Sequence, residues 1–344
     1  MRVASISKIA TALVIVRLVD AGHLSLDASA ADLLGPWARN PAFPEAPIRV
    51  RDMLAHTSSL RDGEVYWAGL GERIADFLTP GGMHWEDGAH WSASHAPGAY
   101  FSYCNFGYGV LATIAERASG IRFDELARAL VFQPLGLACG FNWSGSARAS
   151  AAAGAPVWQR VGSQWVAQAD ARLPPDRAPV FLNERGLDIG AYEIGSNGLL
   201  FAPQGGLRAS ALDLARLGLF LISDGRPLMS ARLLDSMRAP IWMFDGSNGD
   251  TERDFWRGYG LGLQVMPSDG AGPIEFQQRP LFGHSGDAYG LRGGLFMDIE
   301  ARGGFVFLLN GGPRDAERRR GARSGFSLAE ERVMQTLYDL AMAR

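Results

Sequence analysis

The first eight residues constrain this chain most, because a serine and a lysine three positions apart lead directly into an apolar run. Ser5 and Lys8 are the pair, and eight consecutive residues after the lysine are apolar or small. Residues i and i+3 of a helix lie side by side, so these two side chains should face each other while Ser7 points elsewhere. A helix that is apolar all round is a buried one. The pattern predicts a buried helix over 6–21, closed by Gly22.

This pairing has a chemical meaning. A serine hydroxyl is a poor nucleophile until a neighbouring base takes its proton. A lysine can be that base only if its pKa falls, which burial achieves. A serine at a helix N-terminus also lies where backbone N–H groups favour negative charge. The pair therefore predicts a nucleophile, Ser5, beside a base, Lys8, at the mouth of a buried helix.

Two simpler interpretations compete with this one. The pattern S-x-x-K is weak alone, and Ser5 could cap a helix while Lys8 is solvated. The segment could also be a signal peptide, with basic residues before the apolar run and a cleavage site at 28–30. Arg17 and Asp20 interrupt the apolar run early, which disfavours the signal peptide.

Composition excludes several classes of function. The 344 residues are 47% hydrophobic and carry a net charge of −3, with no basic run, so nothing indicates nucleic-acid binding. No apolar run approaches the ~20 residues of a membrane span. Cys104 and Cys139 form no disulfide framework, and we expect Cys104 to be a small buried filler. The sequence predicts no cofactor.

A metal site is the alternative interpretation of a histidine-rich stretch. His84, His90 and His95, with Glu86 and Asp87, could supply ligands. Metal ligands on loops usually come as tight pairs, and these do not. We therefore predict no metal here and a surface loop beside a cleft.

The remaining pattern predicts an α/β (α+β) chain with an antiparallel sheet in its C-terminal part. Tyr103 could be a packed core tyrosine, and Asn105 could simply be the N-cap of a helix that ends before Gly120. The predicted elements are helices over 48–55, 106–118, 124–130, 206–223 and 327–343, strands over 260–266, 291–299 and 304–309, and long loops over 140–205.

Three short motifs occur in a fixed order, and their order is more specific than any one of them. They are Ser5-x-x-Lys8, Tyr103-Cys104-Asn105 and His284-Ser285-Gly286. In this order the chain resembles the serine β-lactamase and penicillin-binding-protein family, closest to the branch of class C β-lactamases, D-aminopeptidases, D-Ala-D-Ala carboxypeptidases and esterases. The resemblance covers nearly the whole chain and extends to Met53–Ser58, Pro97-Gly98, Gln133–Leu137 and Gly206–Ser210.

The resemblance implies a fold of one domain over 1–344, with an antiparallel sheet flanked by helices and a mostly helical lobe. The mixed α/β lobe would comprise about 1–40 and 205–344, and the helical and loop lobe about 41–204. It also implies acyl transfer through a covalent ester, in which Ser5 attacks a carbonyl carbon. Such enzymes act on small-molecule ester or amide substrates.

The resemblance further implies the roles of the other motif residues. Lys8 and Tyr103 would share the proton transfers, and which of them is the base stays open. Asn105 would hold Lys8 and contact the substrate. The substrate would also meet the third motif, and backbone N–H groups would hold the oxyanion. The substrate-binding residues at the third motif would be His284, Ser285, Gly286 and Asp287, with the oxyanion donors on Ser5 and Asp287.

Two departures from the family pattern affect the predicted substrate class and the predicted extent of the chain. His284 stands where lysine is expected for binding a carboxylate, and a neutral histidine is a weaker anion site. An esterase or broad β-lactamase-like hydrolase is therefore favoured. A D-amino-acid peptidase or carboxypeptidase, or a weak β-lactamase, is the first alternative. A catalytically impaired penicillin-binding or scaffold homologue is the second.

The second departure concerns the start of the chain, four residues before Ser5. The family normally has a helix and strands ahead of the nucleophile, so we expect either a segment upstream of Met1 or a truncated relative with an open sheet edge. The chain as written predicts a cytoplasmic protein, and an upstream segment would make it periplasmic. The sequence leaves the oligomeric state undetermined.

Overall fold

The computed structural model describes residues 1–144, 153–168, 189–312 and 320–342. Nine α-helices lie in these ranges, besides short 3₁₀ turns and one π turn over Arg128–Phe132. The helices are α1 (Ser7–Asp20), α2 (Ala30–Leu34), α3 (Val50–Leu54), α4 (Ala75–Leu78), α5 (Phe106–Ser119), α6 (Phe123–Ala127), α7 (Ala211–Leu221), α8 (Ala231–Arg238) and α9 (Leu328–Met342).

A six-stranded antiparallel sheet forms the C-terminal part, as the sequence predicts. Its strand order is β10-β9-β8-β7-β6-β5, and two smaller two-stranded sheets pair β1 with β4 and β2 with β3. The strands are β1 (Gly140–Phe141), β2 (Val157–Val161), β3 (Gln164–Gln168), β4 (Leu207–Arg208), β5 (Trp242–Met243), β6 (Gly258–Tyr259), β7 (Gln264–Met266), β8 (Leu281–Ala288), β9 (Leu291–Asp298) and β10 (Gly303–Leu309). The third motif lies inside β8, between β7 and β9.

Helix α1 is the central element. Its apolar side chains are buried on every side, which is why the sequence shows no polar face. It packs against α5, and the 3₁₀ turn Ala4–Ile6 ahead of it packs against β8 and β9. Gly22 adopts φ of +75° just beyond its end, so the predicted left-handed closure is confirmed. The nucleophile candidate therefore lies in the turn that leads directly into a buried helix.

Two other helices also match the prediction. Helix α5 ends at Gly120, whose φ is +69°. The C-terminal helix α9 covers β10 and buries Met334 and Tyr338 among sheet phenylalanines. Among the residues that the structure describes, no helix is both long and apolar enough to cross a bilayer.

The helix predicted from residue 206 begins later. Leu207 and Arg208 instead form β4, paired antiparallel with β1. Ser210 then starts α7 through a capping box, in which its hydroxyl accepts from the Asp213 N–H and the Asp213 carboxylate accepts from the Ser210 N–H. This Ser-x-x-Asp pattern sets the helix start, because it satisfies orphan donors that residue 206 could not.

The prediction of long loops over 140–205 is wrong in part. Strands β2 and β3 form an antiparallel hairpin whose turn contains Gly162 at φ +62°. Alternating polar and apolar residues on this hairpin were too few to separate it from the glycine-rich surroundings. Residues 145–152 and 169–188 of that prediction lie outside the described residues.

Gly286 is the point where the turn that carries Ser5 meets β8. A Cβ on Gly286 would lie 2.6 Å from the Val3 carbonyl oxygen and 3.2 Å from the Ile6 side chain. A backbone oxygen cannot move aside like a flexible side chain, so Gly286 is a packing requirement as well as part of a motif.

Gly286→Ala is therefore expected to destabilise the protein by about 2 kcal/mol, within the usual cost of overpacking. Urea unfolding of the variant measures this directly. Gly272→Ala is the matched control, because a Cβ there would meet nothing closer than 3.7 Å. Equal stability of the two variants would show that the turn and β8 can separate at no cost.

Candidate active site

Ser5 lies in a strained turn at the head of α1. It is half-exposed, while Ala4 before it is buried and has a left-handed φ of +49°. A non-glycine residue in this region costs energy and persists only where its surroundings hold it. Here Ser7 holds Ala4 in this conformation. The Ser7 hydroxyl donates to the Ala4 carbonyl at 2.5 Å and accepts from the Leu207 N–H at 3.0 Å. The turn thus leaves Ser5 partly exposed and within reach of Lys8.

Lys8 is fully buried and faces Ser5 across one helical turn. Its Nζ lies 3.3 Å from Ser5 Oγ, 2.7 Å from Asn105 Oδ1 and 3.0 Å from the Gln204 carbonyl oxygen. Burial lowers the pKa of Lys8 from 10.5 to about 7, and the negative charge of nearby Asp62 opposes this fall. A substantial fraction of Lys8 is therefore neutral near neutral pH.

Asn105 does not cap α5, contrary to the simple structural interpretation of this residue. Its side chain makes no capping hydrogen bond, and instead its Oδ1 accepts from Lys8 while its Nδ2 donates to Asp62 at 2.8 Å. Asp62 does the capping, since it accepts from the Phe106 N–H at 2.8 Å. Asn105 is freed in this way to link Lys8 to Asp62.

Tyr103 closes the other side of Lys8. Its ring centroid lies 4.7 Å from Lys8 Nζ, and its ring stacks on Trp256 at 4.3 Å. The hydroxyl is buried and makes no hydrogen bond of normal geometry to any described residue. Burial raises the pKa of Tyr103 well above 10, although the nearby Ser5 hydroxyl acts in the opposite direction. Tyr103 is therefore a protonated phenol at neutral pH.

His284 lies behind this group, not on its surface. Its side chain is fully buried, with Nε2 2.7 Å from the Tyr259 hydroxyl and Nδ1 2.6 Å from the Ser285 carbonyl oxygen. Burial, followed by the charge of Lys8, lowers the pKa of His284 to about 3. The imidazole is therefore neutral, and both of its nitrogens lie within hydrogen-bond distance of protein groups.

The rest of the third motif is tied to its neighbours. Ser285 is buried, and Gln264 Oε1 accepts from both its N–H at 3.2 Å and its hydroxyl at 3.0 Å. Gln264 also donates to the Phe255 carbonyl, next to the tryptophan that stacks on Tyr103. The Asp287 carboxylate pairs with Arg292 across the β8–β9 ladder.

The histidines of residues 84–95 have separate partners. His84 contacts Glu72 at 3.1 Å, His90 contacts the Val65 carbonyl at 3.0 Å, and His95 stacks on Tyr100. Over the described ranges, no three histidine, cysteine or acidic side chains are grouped as metal ligands would be.

The structure thus brings Ser5, Tyr103 and Asn105 together around Lys8, with His284 of β8 beside Tyr103. Sequence reasoning missed a further set of residues that contact these motif residues, because none of them carries a motif itself. Asp62 had one usable signal: an acidic residue shortly after the Met53–Ser58 segment, itself a point of family resemblance. The missed residues are Asp62, Gln204, Trp256, Tyr259 and Gln264.

The chain is similar to several known proteins. The family model Beta-lactamase matches residues 1–330. Penicillin-binding protein 4 of Amycolatopsis lactamdurans is 31% identical over 137 residues, which make up 39% of this chain and 33% of the relative. Esterase EstB of Burkholderia gladioli is 33% identical over 153 residues, 41% of this chain and 38% of the relative.

Solved structures show the same fold. The octameric penicillin-binding protein homologue from Pyrococcus abyssi has a TM-score of 0.67 at 23% identity, over 98% of this chain and 65% of that one. The predicted architecture, an antiparallel sheet flanked by helices, is confirmed. The matched stretches cover only between 25% and 38% of the length of the curated relatives.

Proposed function

This chain belongs to the beta-lactamase family, and we propose that it is a serine hydrolase that forms an acyl-enzyme on Ser5 with a small ester or amide. The observation that carries the proposal is the set of contacts around Lys8 Nζ. One buried amine, with a pKa near 7, meets the hydroxyl of Ser5 and two oxygens that can only accept hydrogen bonds.

These contacts favour Lys8 as the base. A neutral amine has two N–H donors and one lone pair. The Asn105 Oδ1 and the Gln204 carbonyl can only accept, so they take the two donors. The lone pair is then left for the Ser5 hydroxyl at 3.3 Å, which is the direction in which a proton must leave the nucleophile.

Ser5 Oγ attacks the carbonyl carbon of the substrate while its proton passes to Lys8 Nζ, and the carbonyl oxygen gains a negative charge. The backbone N–H groups of Ser5 and Asp287 would hold this oxyanion. The bond to the leaving group then breaks, that group takes a proton, and an ester on Ser5 remains until water hydrolyses it.

Tyr103 is proposed to deliver the proton to the leaving group. Its phenol is protonated, lies beside Ser5 and Lys8, and has a hydroxyl free of other hydrogen bonds among the described residues. It can therefore pass a proton outward and regain one from the Lys8 ammonium.

Tyr103→Phe should lower kcat by on the order of 10²–10³-fold, the usual contribution of a general acid. The loss should be larger for substrates with poor leaving groups, such as alkyl esters, than for p-nitrophenyl butyrate. Steady-state kinetics with both substrates measure this difference, and Tyr100→Phe is the control, because Tyr100 lies on the same segment but stacks on His95. An equal loss on both substrates would contradict the role in leaving-group protonation.

The neutral, buried His284 favours esters and uncharged amides over substrates with a carboxylate. A permanent ammonium in this position would attract an anion, whereas this imidazole carries no charge above pH of about 3. We therefore place a small ester first. The test is a stopped-flow assay with p-nitrophenyl butyrate, in which a burst equal to the enzyme concentration is expected from acyl-enzyme formation.

Two other functions remain as alternatives. The similarity to a penicillin-binding protein favours D-amino-acid peptides or slow β-lactam hydrolysis as the first. Nitrocefin turnover faster than ester turnover would favour it. The second is an impaired binding or scaffold protein, and a fluorophosphonate probe that labels Ser5 at a normal rate would exclude it.

A further inference from the structure

We propose that Asp62 is a positioning residue for this site, because its carboxylate fixes which end of the Asn105 amide faces Lys8. The inference rests on the proposed acyl-transfer function and adds a residue to it that no motif contains.

The geometry around Asp62 is fully determined by donor and acceptor chemistry. An ionised carboxylate can only accept hydrogen bonds. Its Oδ2 lies 2.8 Å from Asn105 Nδ2 and its Oδ1 lies 2.8 Å from the Phe106 N–H. The NH₂ end of Asn105 must therefore face Asp62, which leaves Oδ1 to face Lys8 at 2.7 Å.

This orientation matters because the two ends of an amide differ in hydrogen-bond character. If the Asn105 amide turned over, its NH₂ group would point at the Lys8 amine, and one N–H of Lys8 would lose its acceptor. The lone pair of Lys8 would then no longer be reserved for Ser5. Asp62 thus preserves the arrangement in which Lys8 can take the proton of Ser5.

The second hydrogen bond holds the carboxylate in place. Phe106 is the first residue of α5, a helix of 14 residues, and its N–H is one of the orphan donors at the helix N-terminus. A negative charge is favourable there. Asp62 is therefore fixed by the helix, and it fixes Asn105 in turn.

Asp62 also acts on Lys8 through its charge. Its negative charge raises the pKa of Lys8 against the fall caused by burial. The other titratable groups around Lys8 are neutral, since burial keeps both imidazoles uncharged and the phenols and the thiol protonated. They come from four segments packed on α1 and are His56, Tyr103, Cys104, Tyr108 and His284.

The test uses Asp62→Asn, which keeps the size of the side chain but removes the charge and one of the two acceptors. We expect kcat/KM for p-nitrophenyl butyrate to fall by about 10–100-fold. We also expect the pH midpoint of kcat/KM to move to lower pH by roughly one unit, because the lost negative charge no longer favours the ammonium. Asp62→Glu should restore most of the activity and return the midpoint toward that of the unmodified protein.

Glu64→Gln is the matched control. Glu64 lies on the same loop and is exposed, so its loss removes the same charge without touching Asn105. Its pH midpoint should stay unchanged. Thermal unfolding of all three variants separates loss of activity from loss of fold.

Three results would overturn the proposal. One is an Asp62→Asn variant with an unmoved pH midpoint and a loss that follows only its lower melting temperature. Another is a change in KM alone, which would make Asp62 a substrate contact. The third is an equal shift of the midpoint in Glu64→Gln. Failure of the underlying function is recognised separately, since Ser5→Ala would then keep full activity.

Discussion

Ser5→Ala is expected to reduce ester hydrolysis by on the order of 10⁴–10⁶-fold and to abolish the burst of p-nitrophenol. The oxygen of the Ser5 hydroxyl is the atom that would form the covalent ester, and among the described residues Lys8 Nζ makes no hydrogen bond to another hydroxyl. Stopped-flow kinetics give the burst, and intact-protein mass spectrometry after a fluorophosphonate probe gives the site of labelling.

Ser25→Ala is the control for this substitution. Ser25 is exposed, and its hydroxyl only accepts from the Asp27 N–H within the same turn. It should keep both the burst and the label. Hydrolysis that survives in Ser5→Ala at the rate of Ser25→Ala would mean that another group does the chemistry, and the acyl-enzyme on Ser5 would have to be abandoned.

The parts of the fold that depend on local rules could be predicted from the sequence. The buried helix α1 follows from an apolar run that ends in a glycine, and its left-handed closure at Gly22 requires a residue without a Cβ. The strands β9 and β10 also match the strands predicted over 291–299 and 304–309, although all eight residues of β9 are buried and do not alternate between two faces of different exposure. The i, i+3 spacing of Ser5 and Lys8 was enough to predict that they meet.

The parts that depend on long-range contacts could not be predicted. The side chain of Gln264, not a backbone carbonyl of β7, accepts the hydrogen bond from the Ser285 N–H of β8. Only the register of the two strands reveals this. Asn105 has the sequence of a helix cap, yet a more distant acidic residue, Asp62, takes that role. A propensity rule considers hydrogen-bond partners only within a few residues along the chain, whereas Asp62 lies 43 residues from Asn105.

These long-range residues also explain why the motif residues can work. Lys8 is fully buried, and an unpaired charge there would be very unfavourable. The oxygens of Asn105 and Gln204 compensate for part of this cost, and the remainder appears as a lowered pKa. The same burial that makes α1 the centre of the core therefore makes its lysine a base. Stability and reactivity here have one physical origin.

The lowered pKa of Lys8 predicts the direction in which kcat/KM changes with pH. The pKa of Lys8 in the folded protein is about 7, below its ordinary value of 10.5, so the amine loses its proton as pH rises through 7. If Lys8 is the base, kcat/KM should be low at pH 5 and should rise about tenfold per pH unit to a plateau above pH of about 8. His284, with a pKa of about 3, and Tyr103, with a pKa well above 10, add no change in this window.

Stability should respond to the same group. A lysine whose folded pKa is lowered binds fewer protons than it does in the unfolded chain between pH 7 and 10.5. The free energy of unfolding contributed by this group therefore increases as pH rises through that window, by roughly 5 kcal/mol at most. Below pH 7 the full cost of burying the charge is present. Urea unfolding at a series of pH values, compared with Lys8→Met, isolates this contribution.

Lys8→Arg and Lys8→Met together decide what the amine does. Arginine keeps a positive charge at every accessible pH and cannot act as a base, whereas methionine keeps the length of the side chain without any charge. Both should lose on the order of 10³–10⁵-fold in kcat/KM, and neither should show the rise through pH 7. If Lys8 only supplied a positive charge, Lys8→Arg would keep much of the activity, and that activity would not change with pH. Only Lys8→Met would then lose activity. That result would transfer the role of base to Tyr103, whose buried phenol would then have to lose a proton that its surroundings hold tightly.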